Sequence, residues 1–172
     1  MLSLLIRFME RRGCFRMIHR RNQETNEIEK YLNRGYILRF KYLGVFIHQF
    51  WTSDPDHPHD HPWPNFTFVL KGGYHEYNVD GTCKWRGPGF MRFRQAQLFH
   101  RISIGPHSGG SAWTIFVRFK RIRSWGFITP NGWMEASLYG EKYGAPVEEQ
   151  GVDFDIKGHL FPRVVDLKPD AG

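Results

Sequence analysis

Cysteine is scarce in this chain of 172 residues, which contains only Cys14 and Cys83. The two lie far apart and form no CxxC pair, which argues against a disulfide framework and favours a reducing, cytoplasmic setting. Long apolar runs are missing as well, and none approaches the roughly 18 residues that a membrane span requires. The apolar start, Met1 to Ile6, is too short for a signal peptide and is interrupted by Arg7. We therefore expect a cytoplasmic protein that does not enter a membrane.

Several sequence signatures of common enzymes are absent too. The chain has no Walker loop, no GxGxxG and no GxSxG. Cys83 has no nearby base in the sequence, so nucleophilic catalysis by a thiol has no support.

Acidic residues are outnumbered, with 17 Asp and Glu against 24 Lys and Arg, and the formal net charge is +7. The excess is uneven. Residues 1–21 carry six arginines against Glu10 alone, and a second cluster comprises Arg118, Lys120, Arg121 and Arg123. This pattern indicates either attraction to nucleic acid, a nucleotide or another polyanion, or a solvated basic face that aids solubility.

The order of apolar residues predicts a chain dominated by strands. Apolar residues at helical spacing predict a short helix over residues 2–12. A second short helix is predicted over 22–31, where Asn26 and Glu29 resemble a capping box. From residue 36 onward, six to eight short strands with turn-rich gaps favour a closed antiparallel barrel or jelly roll, and Asp80-Gly81 predicts a hairpin turn between two of them. Another helix is predicted over 135–143. We expect a basic helical N-terminal segment (1–35), a barrel (36–128), and a C-terminal helix and tail packed on it (129–172).

Histidine is the residue type whose distribution is hardest to explain by packing. Residues 57–61 read HPHDH, and His48 lies just upstream. On an extended strand His59 and His61 would point to the same side, since strand side chains alternate with a period of two. Imidazole is the commonest metal-binding side chain, so the pair predicts part of a metal site.

The spacing beyond this pair resembles the cupin superfamily. His59-x-His61 is followed by Asn65 and then Gly72, as in the first cupin motif, with Asn65 where that motif has glutamate. Gly87-Pro88-Gly89 followed by His100 resembles the second motif. Within the superfamily, the string HDHPW at 59–63 is similar to that of small, uncharacterised cupin proteins of bacteria and phages, some of them labelled by similarity to cysteine dioxygenase.

The resemblance implies a cupin-type jelly roll that holds one divalent transition metal with His59, His61 and His100. Three neutral imidazoles suit Fe(II), Zn, Ni, Mn or Cu, and Fe(II) is favoured here only because oxygenation is the expected reaction class. For His48 three alternatives stay open: a fourth ligand, a base next to the metal ligands, or a core histidine. Asp60 is expected to point away from the pair, and His57 is expected to lie in the exposed loop. Glu76 could approach the metal, but a surface carboxylate is expected. Arg92 and Arg94 are candidates for binding a substrate carboxylate or phosphate.

The resulting function prediction is a metal-binding cupin, an Fe(II)-type dioxygenase that acts on a small polar substrate. A metal-assisted isomerase or hydrolase is one alternative, since the fold does not determine the chemistry. Another alternative is a non-catalytic module that binds nucleic acid, a nucleotide or a partner protein through its basic N-terminus. The apolar strand at 66–70 would also allow a homodimer.

Overall fold

The computed structural model describes residues 2–22 and 25–143, and strands dominate this part of the chain. In chain order the elements are α1 (Leu2–Arg11), β1 (Phe15–Arg21), β2 (Ile28–Arg39), β3 (Gly44–Phe50), β4 (Asn65–Lys71), β5 (Tyr74–Asn78), β6 (Cys83–Arg86), β7 (Met91–Arg94), β8 (His100–Ser103), β9 (Ala112–Arg118), β10 (Gly126–Thr129), β11 (Gly132–Glu135) and α2 (Ala136–Tyr143).

The strands form two main sheets and a small hairpin. The larger sheet has the order β1-β2-β3-β9-β4-β7, and the smaller has the order β6-β5-β8. Strands β10 and β11 pair with each other, and the strand pairs in all three sheets are antiparallel. Neighbours such as β9 and β4 are distant in sequence, which is typical of a jelly roll.

A small apolar core joins the two sheets. Val69 of β4 and Ala112 of β9 come from the larger sheet, and Tyr74 of β5 and Ile102 of β8 come from the smaller. All four are buried, and partly buried Phe50, Phe90 and Ile104 pack against them. Burying these apolar side chains between the sheets stabilises the sandwich, at about 25 cal/mol per Å² removed from water.

The first helix covers the opposite face of the larger sheet. Met9 of α1 is buried, and Gly35 of β2 lies under Met9, Phe15 and Ile47 so closely that a side chain there would collide with them. The helix predicted over 2–12 is thus confirmed. Arg7 and Arg11 on α1 are exposed.

The second predicted helix, over 22–31, is wrong: a β-hairpin of β1 and β2 occupies this region. Arg20 pairs directly with Glu29 across the hairpin, and their side chains form an ion pair at 2.6 Å. Asn26 has a φ of 60°, and this left-handed conformation belongs to a turn. The Asn26–Glu29 pattern that resembled a helix cap therefore reflects a turn followed by a cross-strand pair.

The division into three segments stays a prediction. Strand β2 continues through residue 35 and pairs with β3, and β10 spans residue 128. The predicted C-terminal helix is confirmed as α2. The tail after residue 143 lies outside the described residues, so its predicted packing on the barrel stays a prediction.

Two further findings concern the membrane and the cysteines. No helix in the described ranges is long and apolar enough to span a membrane. Cys14 and Cys83 are both free thiols.

Candidate metal centre

His59 and His61 lie in the extended segment between β3 and β4 rather than on a strand. His59 and His100 face each other in an isolated antiparallel bridge, in which each backbone N–H donates to the other's carbonyl oxygen at 2.9 Å. The backbone N–H of His61 donates to the carbonyl oxygen of Ala96 at 3.0 Å. Pro62 and Pro64 separate the pair from β4, since proline interrupts strand pairing.

These backbone contacts bring the three predicted histidines together. One nitrogen from each of His59, His61 and His100 lies within 4.8 Å of the other two. Nε2 of His61 is 3.0 Å from Nε2 of His100. Three imidazole nitrogens so close to each other can all bind one ion.

A carboxylate stands behind two of the three rings. Oδ2 of Asp54 is 3.8 Å from Nδ1 of His59, and Oε1 of Glu76 is 3.4 Å from Nδ1 of His100. Both carboxylates are buried. Carboxylates at Nδ1 orient the ring and favour the tautomer whose Nε2 lone pair is available to a metal. The donor set therefore fits a transition metal.

The surroundings keep the three rings neutral. Burial lowers the pKa of His59 and lowers that of His61 well below its ordinary value. Burial also lowers the pKa of His100 to about 4, although Glu76 partly opposes the effect. Near neutral pH each imidazole therefore has a lone pair to donate, which a metal ligand requires.

Glu76 is the centre of a buried network of charges, and the expectation that it is a surface carboxylate is wrong. Its side chain has no exposed surface and forms ion pairs with Arg86 at 2.9 Å, with Arg92 at 3.2 Å and with Arg94. Burial alone would raise the pKa of Glu76, but the neighbouring imidazole of His100 and the charge of Arg94 lower it well below its usual range. Glu76 thus remains ionised next to the histidines.

The two candidate substrate-binding arginines lie in this network. Arg92 is partly exposed, with a third of its side-chain surface accessible, and it contacts Glu76. Arg94 is buried, and its positive charge lowers the pKa of each of the three histidines. One Arg94 nitrogen binds Glu76, but Nη1 has no hydrogen-bond partner among the described residues. A buried donor without a partner is costly, so Nη1 is suited to bind an oxyanion.

His48 lies near the three histidines but is not one of the group. It is buried on β3 and stacks on Phe116, with ring centroids 5.0 Å apart, and it also packs against Phe46 and Phe50. Burial lowers its pKa well below the ordinary value. Its Nε2 has no hydrogen-bond partner in the described part of the chain. This position favours a core histidine or a base over a fourth ligand.

Asp60 points away from the histidine pair, as expected, and anchors the segment that carries it. Its carboxylate accepts a hydrogen bond from the backbone N–H of Gly126 at 2.8 Å and forms an ion pair with Arg123 at 2.8 Å. The side chain is fully buried. Arg123, which belongs to the second basic cluster, therefore has a structural partner.

His57 is not exposed in the loop, contrary to the prediction. Its Nδ1 is 2.8 Å from the hydroxyl oxygen of Tyr139, and its ring packs against Tyr139 and Tyr143 of α2. Helix α2 therefore supports the segment before the histidine pair. This contact joins residues 82 positions apart, and no local pattern indicates it.

Sequence reasoning missed Asp54 and misplaced Glu76. Asp54 also accepts a hydrogen bond from the backbone N–H of Ile102 at 2.7 Å, which fastens the segment to β8. A signal for Glu76 was present, because alternation along β5 places it on the same face as buried Tyr74. No comparable signal was available for Asp54, which lies in a loop.

Solved structures similar to this chain include the polyketide cyclase RemF from Streptomyces resistomycificus, with 16% identity and a TM-score of 0.51 over 64% of this chain and 78% of that one. FeII HppE has 21% identity and a TM-score of 0.46 over 59% of this chain and 55% of its own, so this chain spans about half of its length. A protein with a double-stranded β-helix domain from Klebsiella pneumoniae has 15% identity and a TM-score of 0.45 over 56% and 84%.

No family profile and no curated protein matches the sequence. The likeness to solved structures is therefore one of fold. Together with the two antiparallel sheets, the likeness to RemF confirms the expected all-β jelly roll.

Proposed function

We propose that this protein is a cytoplasmic metal-dependent enzyme, an Fe(II)-type dioxygenase that acts on a small, polar, negatively charged substrate. The observation that supports the proposal best is the group of three neutral imidazoles within 4.8 Å, two of them backed by carboxylates. Two free cysteines are in keeping with a cytoplasmic location. We also propose kinship with the small bacterial and phage proteins that share the HDHPW string.

His59, His61 and His100 would hold the metal through one ring nitrogen each. Three neutral protein ligands leave coordination positions open, and a bound Fe(II) would supply the redox chemistry that reaction with dioxygen requires. Zn, Ni, Mn and Cu also bind imidazole nitrogen. Asp54 and Glu76 would keep the rings of His59 and His100 in the ligand orientation.

Arg94 would bind the substrate's anionic group. Its guanidinium is held by Glu76, so its orientation is preset, and Nη1 is left as a buried donor with no protein partner. A carboxylate or phosphate oxygen would satisfy this donor and place the rest of the substrate near the histidines. Arg92, which is more exposed, would contact the same group from the solvent side.

His48 would serve as a hydrogen-bond or proton acceptor at Nε2. Its lowered pKa keeps this nitrogen unprotonated near neutral pH, and contacts with the rings of Phe46 and Phe116 limit its movement. A substrate hydroxyl is the kind of donor that would satisfy it.

Elemental analysis of protein purified without chelator tests the metal. We expect about one transition metal ion per wild-type chain. The His59→Ala/His61→Ala variant should lose the ion, and a His19→Ala/His107→Ala variant should keep it. Wild-type protein without metal, or a His59→Ala/His61→Ala variant that retains metal, would refute the assigned site.

Oxygen consumption by the iron-loaded protein then tests the reaction class. A panel of small carboxylates, thiols and phosphate esters should include one compound that is consumed together with dioxygen. Conversion of a compound without oxygen uptake would instead favour a metal-assisted isomerase or hydrolase. Arg94→Lys should raise KM for the active compound, since lysine lacks the bidentate geometry.

Two secondary proposals are a non-catalytic module that binds nucleic acid, a nucleotide or a partner protein through the N-terminus, and a homodimer. Arg7 and Arg11 are exposed on α1 and are available to a polyanion. Other N-terminal arginines already have partners, since Arg20 binds Glu29 and Arg21 binds Asn26. Light scattering would test the homodimer.

A further inference from the structure

A basic and aromatic surface lies where the turn between β2 and β3 meets the segment after β9. We call it the turn surface and define it by the side chains of Phe40, Lys41, Tyr42, Phe119, Lys120 and Arg121. Arg118 joins the two segments, since its guanidinium donates to the carbonyl oxygen of Phe40 at 3.0 Å. The backbone N–H of Phe40 donates to the carbonyl oxygen of Leu43 at 2.7 Å, which closes the turn.

The rings of the turn surface are unusually exposed for large aromatic side chains. Phe40 is 60% exposed, Tyr42 is 53% exposed and Phe119 is 37% exposed. Charged side chains lie next to Tyr42, because the Nζ atoms of Lys41 and Lys120 are 5.1 and 5.6 Å from the centroid of its ring. Exposed aromatic rings beside cations are characteristic of interaction sites.

The charge of the surface is of one sign. The sequence contains no Asp or Glu between Glu29 and Asp54, or between Asp80 and Glu135. Both segments of the turn surface fall within these stretches. A carboxylate near them, Asp60, is already bound to Arg123 and Gly126. Among the described residues, Lys41, Lys120 and Arg121 form no ion pair, so the surface presents positive charge beside exposed aromatic rings.

We propose that the turn surface binds single-stranded nucleic acid. Lys41, Lys120 and Arg121 would contact phosphates, and bases would stack on Phe40, Tyr42 and Phe119. Every base has a π-face, so such binding tolerates sequence, whereas a duplex hides its base faces within the stack. An acidic protein partner would use the cations in the same way but has no comparable need for several exposed rings.

The turn surface adjoins the segment that carries the histidines. The backbone N–H of Phe119 donates to the carbonyl oxygen of Pro64 at 3.0 Å, and that of Ile122 donates to Pro62 at 2.9 Å. These residues directly follow His61. A single-stranded nucleic acid bound to the turn surface would therefore lie next to the segment that carries the candidate metal centre. The proposed binding does not require the metal.

Fluorescence anisotropy of the full chain with a labelled oligothymidylate tests the proposal. We expect binding that weakens with salt, because phosphate contacts release counterions. Tyr42→Ala should weaken binding at least about fivefold through loss of stacking. Lys120→Ala should lower the slope of log affinity against log salt by about 1.

Matched controls separate this surface from the rest of the molecule. Trp133→Ala removes a comparably exposed aromatic ring from β11, and Lys84→Ala removes an exposed cation from β6; neither should change affinity. The His59→Ala/His61→Ala variant should bind the oligonucleotide like the wild type. The nucleic-acid proposal is therefore tested independently of the metal proposal. Melting curves should show that each variant is folded.

Three results would overturn the proposal. One is no binding at low salt. Another is unchanged affinity in Tyr42→Ala while Arg7→Ala/Arg11→Ala abolishes binding, which would place the contact on α1. The third is that duplex DNA or polyglutamate binds or competes as well as the single strand, which would indicate a general polyanion or acidic-protein surface.

Discussion

Nδ1 of His100 lies 3.4 Å from Oε1 of Glu76, a carboxylate with no exposed surface. The same carboxylate holds three arginines, so the orientation of His100 depends on the whole charged cluster. Because β5 pairs with β8, this contact is built into the smaller sheet. Glu76 therefore connects the candidate metal centre to the candidate anion-binding arginines.

Replacing Glu76 by glutamine should affect both metal binding and folding. Loss of the carboxylate behind His100 should weaken metal binding by about 10- to 100-fold. It also leaves buried Arg94 without its counter-charge, and breaking a buried ion pair costs roughly 3–5 kcal/mol of unfolding free energy. Metal titration and denaturant unfolding measure the two effects. Glu135→Gln, on exposed β11, should change neither, and equal effects in the two variants would contradict this role.

His100 and His107 provide a matched pair for the ligand assignment. His100→Ala should weaken metal binding strongly, because it removes one of three ligands. His107 is exposed and lies outside the group, so His107→Ala should leave affinity unchanged. Isothermal titration with Zn²⁺ or Co²⁺ measures the difference. Similar losses in both variants would count against the assigned ligands.

The metal-free protein should lose stability as pH falls below about 6.5, the ordinary pKa of histidine. The pKa of His100 is lowered to about 4 in the folded state, and those of His48, His59 and His61 are lowered too. The unfolded chain therefore binds more protons in this range, and stability rises with pH. Each such histidine costs about 1.4 kcal/mol per pH unit below 6.5, until its folded pKa is reached.

Melting temperatures in chelator between pH 8 and pH 4.5 would check this dependence on acid. His48→Phe keeps an aromatic ring in contact with Phe46 and Phe116 and should flatten the decline. His19→Phe, at an exposed site, should follow the wild-type curve. A melting temperature that stays constant down to pH 4.5 would show that the histidines are not buried as described. Below the ordinary pKa of Glu76, protonation of the unfolded carboxylate adds to the loss, because its folded pKa is lowered.

Gly72, the glycine of the first cupin-like motif, should tolerate alanine less well than Gly81, a glycine in an open turn. Both have left-handed φ angles, 71° and 79°, where a side chain costs about 1–2 kcal/mol. A Cβ at Gly72 would also collide with the carbonyl oxygen of Ser111, whereas a Cβ at Gly81 meets nothing within 4 Å. Gly72→Ala should therefore lose roughly 1–3 kcal/mol more than Gly81→Ala. Chemical denaturation measures both, and equal losses would contradict the close approach.

Local patterns in the sequence were sufficient for much of the fold. The Asp80-Gly81 signal predicted the hairpin of β5 and β6, and Oδ1 of Asp80 accepts the hydrogen bond from the backbone N–H of Thr82 that closes this turn. The helices α1 and α2 and the all-β class followed in the same way. These features depend on residues that are neighbours in the chain, and so a window of a few residues contains the information.

Non-local pairing explains the errors. Residues 22–31 have a helix-like pattern, but pairing of β1 with β2 satisfies the backbone of their second half as a strand. Tertiary pairing of this kind overrides weak local propensity. His57 was misjudged because its partner, Tyr139, is on a helix near the other end of the described chain.

The sequence by itself determined which residue types the site contains: a histidine pair, a third histidine after a Pro-Gly turn, and an excess of arginine. Only the tertiary structure decided how they are used. The bridge between His59 and His100 brings the rings together. Pairing of β5 with β8 places buried Glu76 next to His100 and among three arginines. Burial and charge pairing depend on strands that are distant in sequence, and these determine the protonation, orientation and accessibility of every residue at the site.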